Sequence, residues 1–524
     1  MGFLSTAGGL KGKWLNWAVT AASCQAFLLL GYDQGVMSGL VGAQNEFSRQ
    51  FDNPNANMTG IITSIYDIGC AVGCLICFFY GERFGRKTMI IAGGTLMIIG
   101  TIILVVIDAI PEAFGHMLTL RTIVTGIGNG FNSSTVPAYQ AEFARPEIRG
   151  MLLCAQGVVT IIGLCIAYWL DYGLSFVDGG VQWRFPISFQ AFFAVCLVIQ
   201  MLPLPESPRW LIEKGRITEA GQILAGLHSS EASPDDPEIV YQRRQIETSI
   251  ELESAGGPFQ YMELLEGGKI QNLRRMILCG MVNLMQQFTG SNMINYYAPV
   301  VYQTAMGLSR NLSLILGGCT SLTYLFGSII PLFVVDRYGR RSLLMASAAG
   351  LCMCFALSAI LLSVGSVGSA YGATAFVFLF QIFMGFGWLP MPWFYPSEIS
   401  TTRIRSRAQA FGGFINWMCV FAVVQITPIA IERISWRTFI IFSVFNFFWI
   451  PIVYCFFPET TGLQLEDIDH IFEKPGITAG VLTSKGGRTV EPGYHATHPN
   501  MEGVEKSPED AVGMEKVPVK GLDV

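Results

Sequence analysis

The sequence predicts an all-α membrane protein of twelve transmembrane helices, arranged as two six-helix, pseudo-symmetric halves. Three observations carry this. The 524 residues are 51% hydrophobic and only 14% charged, with a mean hydropathy of +0.46, whereas a soluble chain carries roughly a quarter charged residues. Apolar stretches long enough to cross a bilayer as helices recur along the chain. The motifs that separate them repeat at one offset. The formal net charge of −5 says little about partners. No basic stripe or nucleic-acid motif is visible, so nucleic acid is excluded as a partner.

The first six spans are expected at about 15–40, 59–80, 88–107, 117–140, 151–172 and 185–204. After a charged segment, six more follow at about 276–303, 312–335, 342–363, 372–397, 408–430 and 437–457. This divides the chain into an N-terminal stretch (1–14), a first half (15–204), a central loop with short helices (205–275), a second half (276–457) and a polar tail (458–524). From about 476 the tail has no periodicity and reads as disordered. Arginines and lysines follow the even-numbered spans, at Arg83, Arg86, Lys87, Arg149, Arg337, Arg340, Arg341, Arg403, Arg405 and Arg407. Positive charge stays inside, so this side and both termini are expected in the cytoplasm.

The halves echo each other. Arg83-Phe-Gly-Arg86 returns as Arg337-Tyr-Gly-Arg340, 254 residues later. Glu142 and Arg149 return as Glu398 and Arg405, 256 residues later. Trp183-Arg184 and Pro205-Glu206 return as Trp436-Arg437 and Pro458-Glu459, 253 residues later. Such parallel repeats are related by an axis along the membrane normal. The 13 cysteines lie in or beside apolar runs and read as small packing residues. No His/acid/nucleophile cluster and no metal-ligand spacing appears, so neither an enzyme nor a metal or cofactor is expected.

Two groups of polar residues interrupt the spans. Gln286, Gln287, Asn292 and Asn295 place four amides in one apolar segment, the seventh span. Amides both donate and accept, which suits a ligand rich in hydroxyls; they also serve to hold helices together. Asp33, Asp67 and Arg121 are the charges inside the spans and away from their ends. An ionisable group at such depth is a functional candidate by default. Asp33, about 27 Å along the first span, and Arg121, near the outer start of the fourth, sit at a depth where they can pair. Asp67 is left open between a second proton site and a polar contact.

The motifs "GYDQGVMSG" (31–39), "GERFGRK" (81–87), "PAYQAEFARPEIRG" (137–150), "PESPRWL" (205–211), "QQFTGSNMINYY" (286–297), "DRYGRR" (336–341), "PMPWFYPSEI" (390–399) and "PETTG" (458–462) occur in this order. Together they resemble the sugar porter family of the major facilitator superfamily, in a fungal-type branch, over residues 15–475. The resemblance implies the major facilitator fold and a plasma-membrane, multi-pass monosaccharide importer that works by alternating access, with proton symport. Facilitated diffusion, a polyol-proton symporter of the glycerol type and a transporter-like sugar sensor are the alternatives. The partners implied are a small-molecule sugar, protons and the lipid bilayer, with the monomer as the working unit.

Residue by residue, the resemblance puts sugar contacts at Gln286, Gln287 and Asn292, at Trp393 in the tenth span and at Asn416 in the eleventh. It makes Asp33 the proton carrier beside Arg121. One departure stands out: the family's sugar-binding glutamine on the fifth span falls at Gly157, and Gln156 is one position earlier. One step turns a helix by about 100°. The repeated charges Arg83, Arg86, Glu142, Arg149, Arg337, Arg340, Glu398 and Arg405 are candidates for a cytoplasmic gate of ion pairs between the halves. Tyr296 and Tyr297 are candidates for an outer gate.

Overall fold

The computed structural model describes residues 10–41, 49, 55–107, 114–144, 149–254, 257, 259–267, 271–461, 471–472, 476, 478 and 481. The tail expected to be disordered from about 476 lies almost wholly outside them. The described residues are helical, with no strand among them.

The first six spans are single helices: α1 (Lys13–Val41), α2 (Ala56–Phe84), α3 (Arg86–Ile107), α4 (Phe114–Phe143), α5 (Arg149–Leu174) and α6 (Val181–Met201). The central segment forms α7 (Pro208–Glu213), α8 (Ile217–His228) and α9 (Pro237–Ser254), then a 3₁₀ turn at Tyr261–Leu265. The next six spans are less regular. The seventh is α10 (Asn272–Gln287) and α11 (Ser291–Val300); the eighth is α12 (Arg310–Ile329) and α13 (Pro331–Tyr338). The ninth is α14 (Arg340–Val364), and the tenth is α15 (Val367–Phe383) and α16 (Met391–Ile399), joined by a π-helical turn at Met384–Trp388. The last two are α17 (Thr402–Ile434) and α18 (Arg437–Phe456).

Nine helices among the described residues are long and apolar enough to cross a membrane. The first, fourth and seventh spans are not among them, and each has a reason in its sequence. Asp33, Gln25 and Gln34 dilute α1; Arg121, Asn129, Asn132 and Gln140 dilute α4; the seventh is split into two short pieces. Such polar residues are costly in lipid, so these three spans belong on the inside.

Within each half the helices pack closely, α1 on α5, α2 and α3 on α4, and α14 on α15 and α18. The halves meet along two seams, α2 on α17 and α5 on α12. Under the repeat, α2 corresponds to α12 and α5 to α17, so the two seams are equivalents. Helices approach closely where glycine removes the side chain. A Cβ on Gly31 would lie 1.7 Å from the Thr160 carbonyl oxygen, which fixes the α1–α5 crossing. All 13 cysteines are free thiols.

Candidate functional site

The seventh span breaks at Thr289–Gly290. Gly290 has φ +89°, in the left-handed region. A Cβ there would lie 2.7 Å from Phe355 and 2.8 Å from Phe442. Only glycine fits, and the break sets Gln286 and Gln287 on the last turn of α10 against Asn292 on the first turn of α11. The three amides are buried. Asn292 Nδ2 donates to Gln287 Oε1 (2.6 Å), and Gln287 Nε2 donates to Gln286 Oε1 (3.0 Å). Asn416 of α17 joins them, its Nδ2 donating to Gln286 Oε1 at 3.0 Å and to Asn283 Oδ1 at 3.2 Å. Gln286 Nε2 in turn donates to the Trp388 carbonyl at 2.9 Å. That oxygen is available because the residue four ahead, Pro392, has no N–H, and the Trp393 N–H bonds the Pro390 carbonyl instead.

The structure thus brings Gln286, Gln287, Asn292 and Asn416 into one network. Trp393, half-buried, stands at the boundary between the halves with its ring centroid 5.9 Å from that of Phe27 on α1, edge to face. Gln156 is buried but makes no hydrogen bond to the network, and its Nε2 has no partner among the described residues. Gly157 is the position that faces the second half: its Cβ would lie 3.7 Å from Leu389. Asn295 is clasped elsewhere, its Oδ1 accepting from Gln381 Nε2 (2.8 Å) and its carbonyl from the Tyr168 hydroxyl (2.6 Å).

Asp33 is buried, and the Tyr66 hydroxyl of α2 donates to its Oδ2 at 2.9 Å. It borders a cavity of about 40 Å³ with Met37, Tyr66, Thr125, Gln190 and Tyr296. The side chain of Arg121, the expected partner, lies outside the described residues. Sequence reasoning missed Tyr66 and Trp417. The Tyr66 ring meets the Trp417 ring edge to face at 6.2 Å. Trp417 is fully buried and donates across the boundary to Ser133 Oγ (3.2 Å). A tryptophan directly after Asn416 was the available signal. A chain of contacts therefore runs from Asp33 through Tyr66 and Trp417 to the neighbouring Asn416 and the amide network.

The repeated charges gather at the opposite end of α2. Arg86 pairs with Glu142 at 3.2 Å, and Arg340 with Glu398 at 3.0 Å. Both pairs lie within a half, which corrects the expectation of pairs between the halves. Arg405 donates to the Ser397 carbonyl at 3.0 Å, again within its own half, while Arg83 and Arg337 are exposed. The Arg149 side chain lies outside the described residues. The reason is local: Glu206 accepts from the backbone N–H groups of Arg86 (2.9 Å) and Lys87 (3.1 Å), pinning the start of α3. Glu459 does the same for Arg340 (2.9 Å) and Arg341 (3.1 Å) at α14. Burial pushes the Glu206 carboxyl up from its ordinary value, while the N–H groups of Ser207 and Lys87 pull it down.

Among the described residues, the ion pair that crosses between the halves is one the repeat did not mark, Glu82 on α2 with Arg407 on α17. Arg407 also stacks 3.5 Å over the Phe259 ring. At the far end, Ser64 Oγ donates to Gln425 Oε1 (2.8 Å), and Tyr168 of α5 reaches Asn295 of α11. Tyr297 is buried and donates to the Val424 carbonyl within its own half (3.0 Å); Tyr296 borders the Asp33 cavity. Contacts close the seam at both ends, so the amides are occluded. No group of described His, Cys, Asp or Glu residues is arranged to hold a metal ion.

Two related sets of six spans, with a buried amide cluster in the second, define a polytopic membrane carrier. The family model for "Sugar (and other) transporter" matches residues 17–472. The sugar transporter STL1 of Saccharomyces cerevisiae is 37% identical over 475 residues, covering 89% of this chain and 83% of its own. The MFS-type transporter oryC of Aspergillus oryzae is 39% identical, with 88% and 86% covered. Among solved structures, the proton:xylose symporter XylE bound to 6-bromo-6-deoxy-D-glucose superposes with a TM-score of 0.75 at 22% identity, covering 87% of this chain and 99% of that one. The chain belongs to the sugar transporter family of the major facilitator superfamily, a family of carriers and not of enzymes.

Proposed function

We propose that this chain imports a monosaccharide across the plasma membrane by alternating access, with Asp33 carrying a coupling proton and the arginine-rich end facing the cytoplasm. The observation that carries the reading is the amide network at the break of the seventh span. Its four side chains are buried and bond mainly to one another and to the buried Trp388 carbonyl. Replacing those bonds with sugar hydroxyls exchanges like for like, so a sugar can enter without leaving buried amides unpaired. Trp393 offers an apolar ring at the boundary between the halves, against Phe27 of α1.

The proton part rests on placement. Asp33 shares a hydrogen bond with Tyr66, whose ring lies against Trp417, next to Asn416. Protonating Asp33 changes what Tyr66 donates to, and the ring contact passes that change towards the sugar. Opening at the cytoplasmic end requires Glu82 and Arg407 to part. A single ion pair suits this, because water entering the opening seam replaces it for both partners. Gly157 leaves the first half without the family's glutamine, which favours a small substrate, a pentose or a polyol, over one that needs that extra amide.

The test is expression in a host lacking its own sugar carriers, with uptake of labelled hexoses, pentoses and polyols measured with and without a protonophore. Saturable uptake whose accumulation collapses with protonophore supports the reading. Saturable uptake untouched by protonophore leaves a facilitator. No uptake of any solute by protein at the surface favours a sensor.

A further inference from the structure

Asp67 has no part in that scheme, and its setting is unlike that of Asp33. It is fully buried, and neither carboxyl oxygen has a hydrogen-bond partner among the described residues. It lies on the stripe Gly60, Ser64, Asp67, Ala71, Cys74, which repeats at helical spacing along α2. That stripe is the face turned to α17. A Cβ on Gly60 would lie 2.9 Å from the Gln425 carbonyl, Ser64 bonds Gln425 at 2.8 Å, and Cys74 Sγ lies 3.1 Å from where a Cβ on Gly413 would be. Asp67 therefore sits in the seam between the halves, about 16 Å in from the outer start of α2.

Among the described side chains around it none is positively charged, and the Arg121 side chain of α4 lies outside the described residues. Tyr296 and Tyr297 face it from α11, and Cys70 from its own helix. Asp33 lies beyond Tyr66. α17 carries no Asp, Glu, Lys or Arg between Arg407 and Glu432. α4 packs on another face of α2, where the Ile123 and Ile127 carbonyls meet Gly69 and Gly73. An ionised carboxylate enclosed this way loses its hydration and gains no partner; the neutral acid loses far less.

We propose that Asp67 is a second proton-binding site, which takes a proton from the outer solution when the α2–α17 seam closes and returns it when the seam reopens. The inference rests on the alternating-access reading, but not on which solute is carried. In the open seam, water hydrates the carboxylate and it ionises as an ordinary aspartate does. Closing strips that water, and the carboxylate must first bind one proton to become the carboxylic acid. Closure at the outer end is then favoured by acid outside, tenfold per pH unit above the ordinary carboxylate range, whether or not sugar is bound.

The test needs no ligand. Infrared spectra of the purified full chain at neutral pH are expected to show the carbonyl band of a carboxylic acid free of hydrogen bonds. The band is expected to vanish in Asp67→Asn and to persist in Asp33→Asn. Gly60→Trp, which wedges the seam open against Gln425, is expected to abolish the band at neutral pH and to leave a hydrated acid's band on acidification. A wild type lacking the band, or a band that survives Asp67→Asn or Gly60→Trp, overturns the proposal. If Asp67→Asn does not fold, the wild type and Gly60→Trp decide between the same outcomes. A chain that fails to accumulate sugar yet behaves this way loses its proton drive but keeps the Asp67 site; the reverse pattern removes Asp67 alone.

Discussion

The two halves descend from one six-span plan, yet they divide the chemistry between them. Every span of the first half is a single helix, and that half holds the buried acids Asp33, Asp67 and Asp171. The second half interrupts three of its spans, at Gly290, at Pro331 and at the π-turn Met384–Trp388, and holds the hydrogen-bonded amide network of Gln286, Gln287, Asn292 and Asn416. An unbroken helix satisfies its own backbone and is a stiff mount for an acid that must keep its position. A broken helix releases carbonyls such as that of Trp388, and these add acceptors to an amide cluster. Under the proposed function, this difference assigns the proton to one half and the polyhydroxylated solute to the other. Tyr66 and Trp417 are where the two meet.

This division can be broken most sharply on the amide side. Gln287→Ala and Asn292→Ala are each expected to weaken the apparent affinity for sugar about tenfold, since losing a buried hydrogen-bonded amide costs about 1–3 kcal/mol. Surface abundance and the protonophore response of the remaining uptake are expected to stay as in wild type. Equal affinity in both variants, measured as half-saturating concentration, would move the sugar site elsewhere.

A smaller effect is expected at the ion pair that crosses between the halves. Glu82→Gln removes one charge from the pair with Arg407 and leaves each half intact. It is expected to shift the cycle towards the inward-open arrangement, seen as a change of several-fold in efflux against influx, with little change in the sugar preference order. Gly157→Gln is expected to do the opposite. It places a fresh amide opposite Leu389 and alters the order among pentoses, hexoses and polyols, while the proton dependence is kept. An unchanged order in a competition assay, with protein at the surface, would show that position 157 does not line the sugar path.

The smallest effect lies in the central segment. Glu263 accepts from Arg403 Nε and Nη2, both at 2.7 Å, and these bonds hold its carboxyl below the usual carboxylate value. The pair therefore stabilises the folded chain above that usual range and fades as pH falls through the lowered value. Glu263→Gln is expected to melt about 1 °C lower than wild type at pH 7, with the two curves converging in strong acid. A gap that stays constant with pH would mean that the contact acts through packing.

Much of this was legible in the sequence. Hydropathy placed the twelve spans, and the repeats at Arg83, Glu142 and Trp183 exposed the two halves. The cluster from Gln286 to Asn292 stood out because amides are rare in an apolar run. What the sequence hid is tertiary. Arg86 and Glu142 lie far apart in the chain, and nothing local shows whether such groups pair within a half or across to the other. Glu82 returns as Asp336, but Arg407 falls opposite Met151, so the repeat did not mark this pair, the one described ion pair that joins the halves. Trp417 and Tyr66 read as ordinary core aromatics until packing set one beside Asn416 and the other against Asp33.

The central claim is that the first half spends a proton to move the sugar held by the second. It is tested most directly by the accumulation ratio of labelled sugar in vesicles at a series of imposed pH gradients and potentials, for wild type and Asp33→Asn. Each co-transported proton supplies about 2.3 kcal/mol per 100 mV of membrane potential, plus the pH gradient. The wild type is expected to concentrate sugar in proportion to that drive. Asp33→Asn, with its shape kept and its titratable group removed, is expected to stop at equal concentrations while still exchanging labelled for unlabelled sugar. Concentration of sugar by Asp33→Asn, or a wild type that never exceeds equality, would contradict the account.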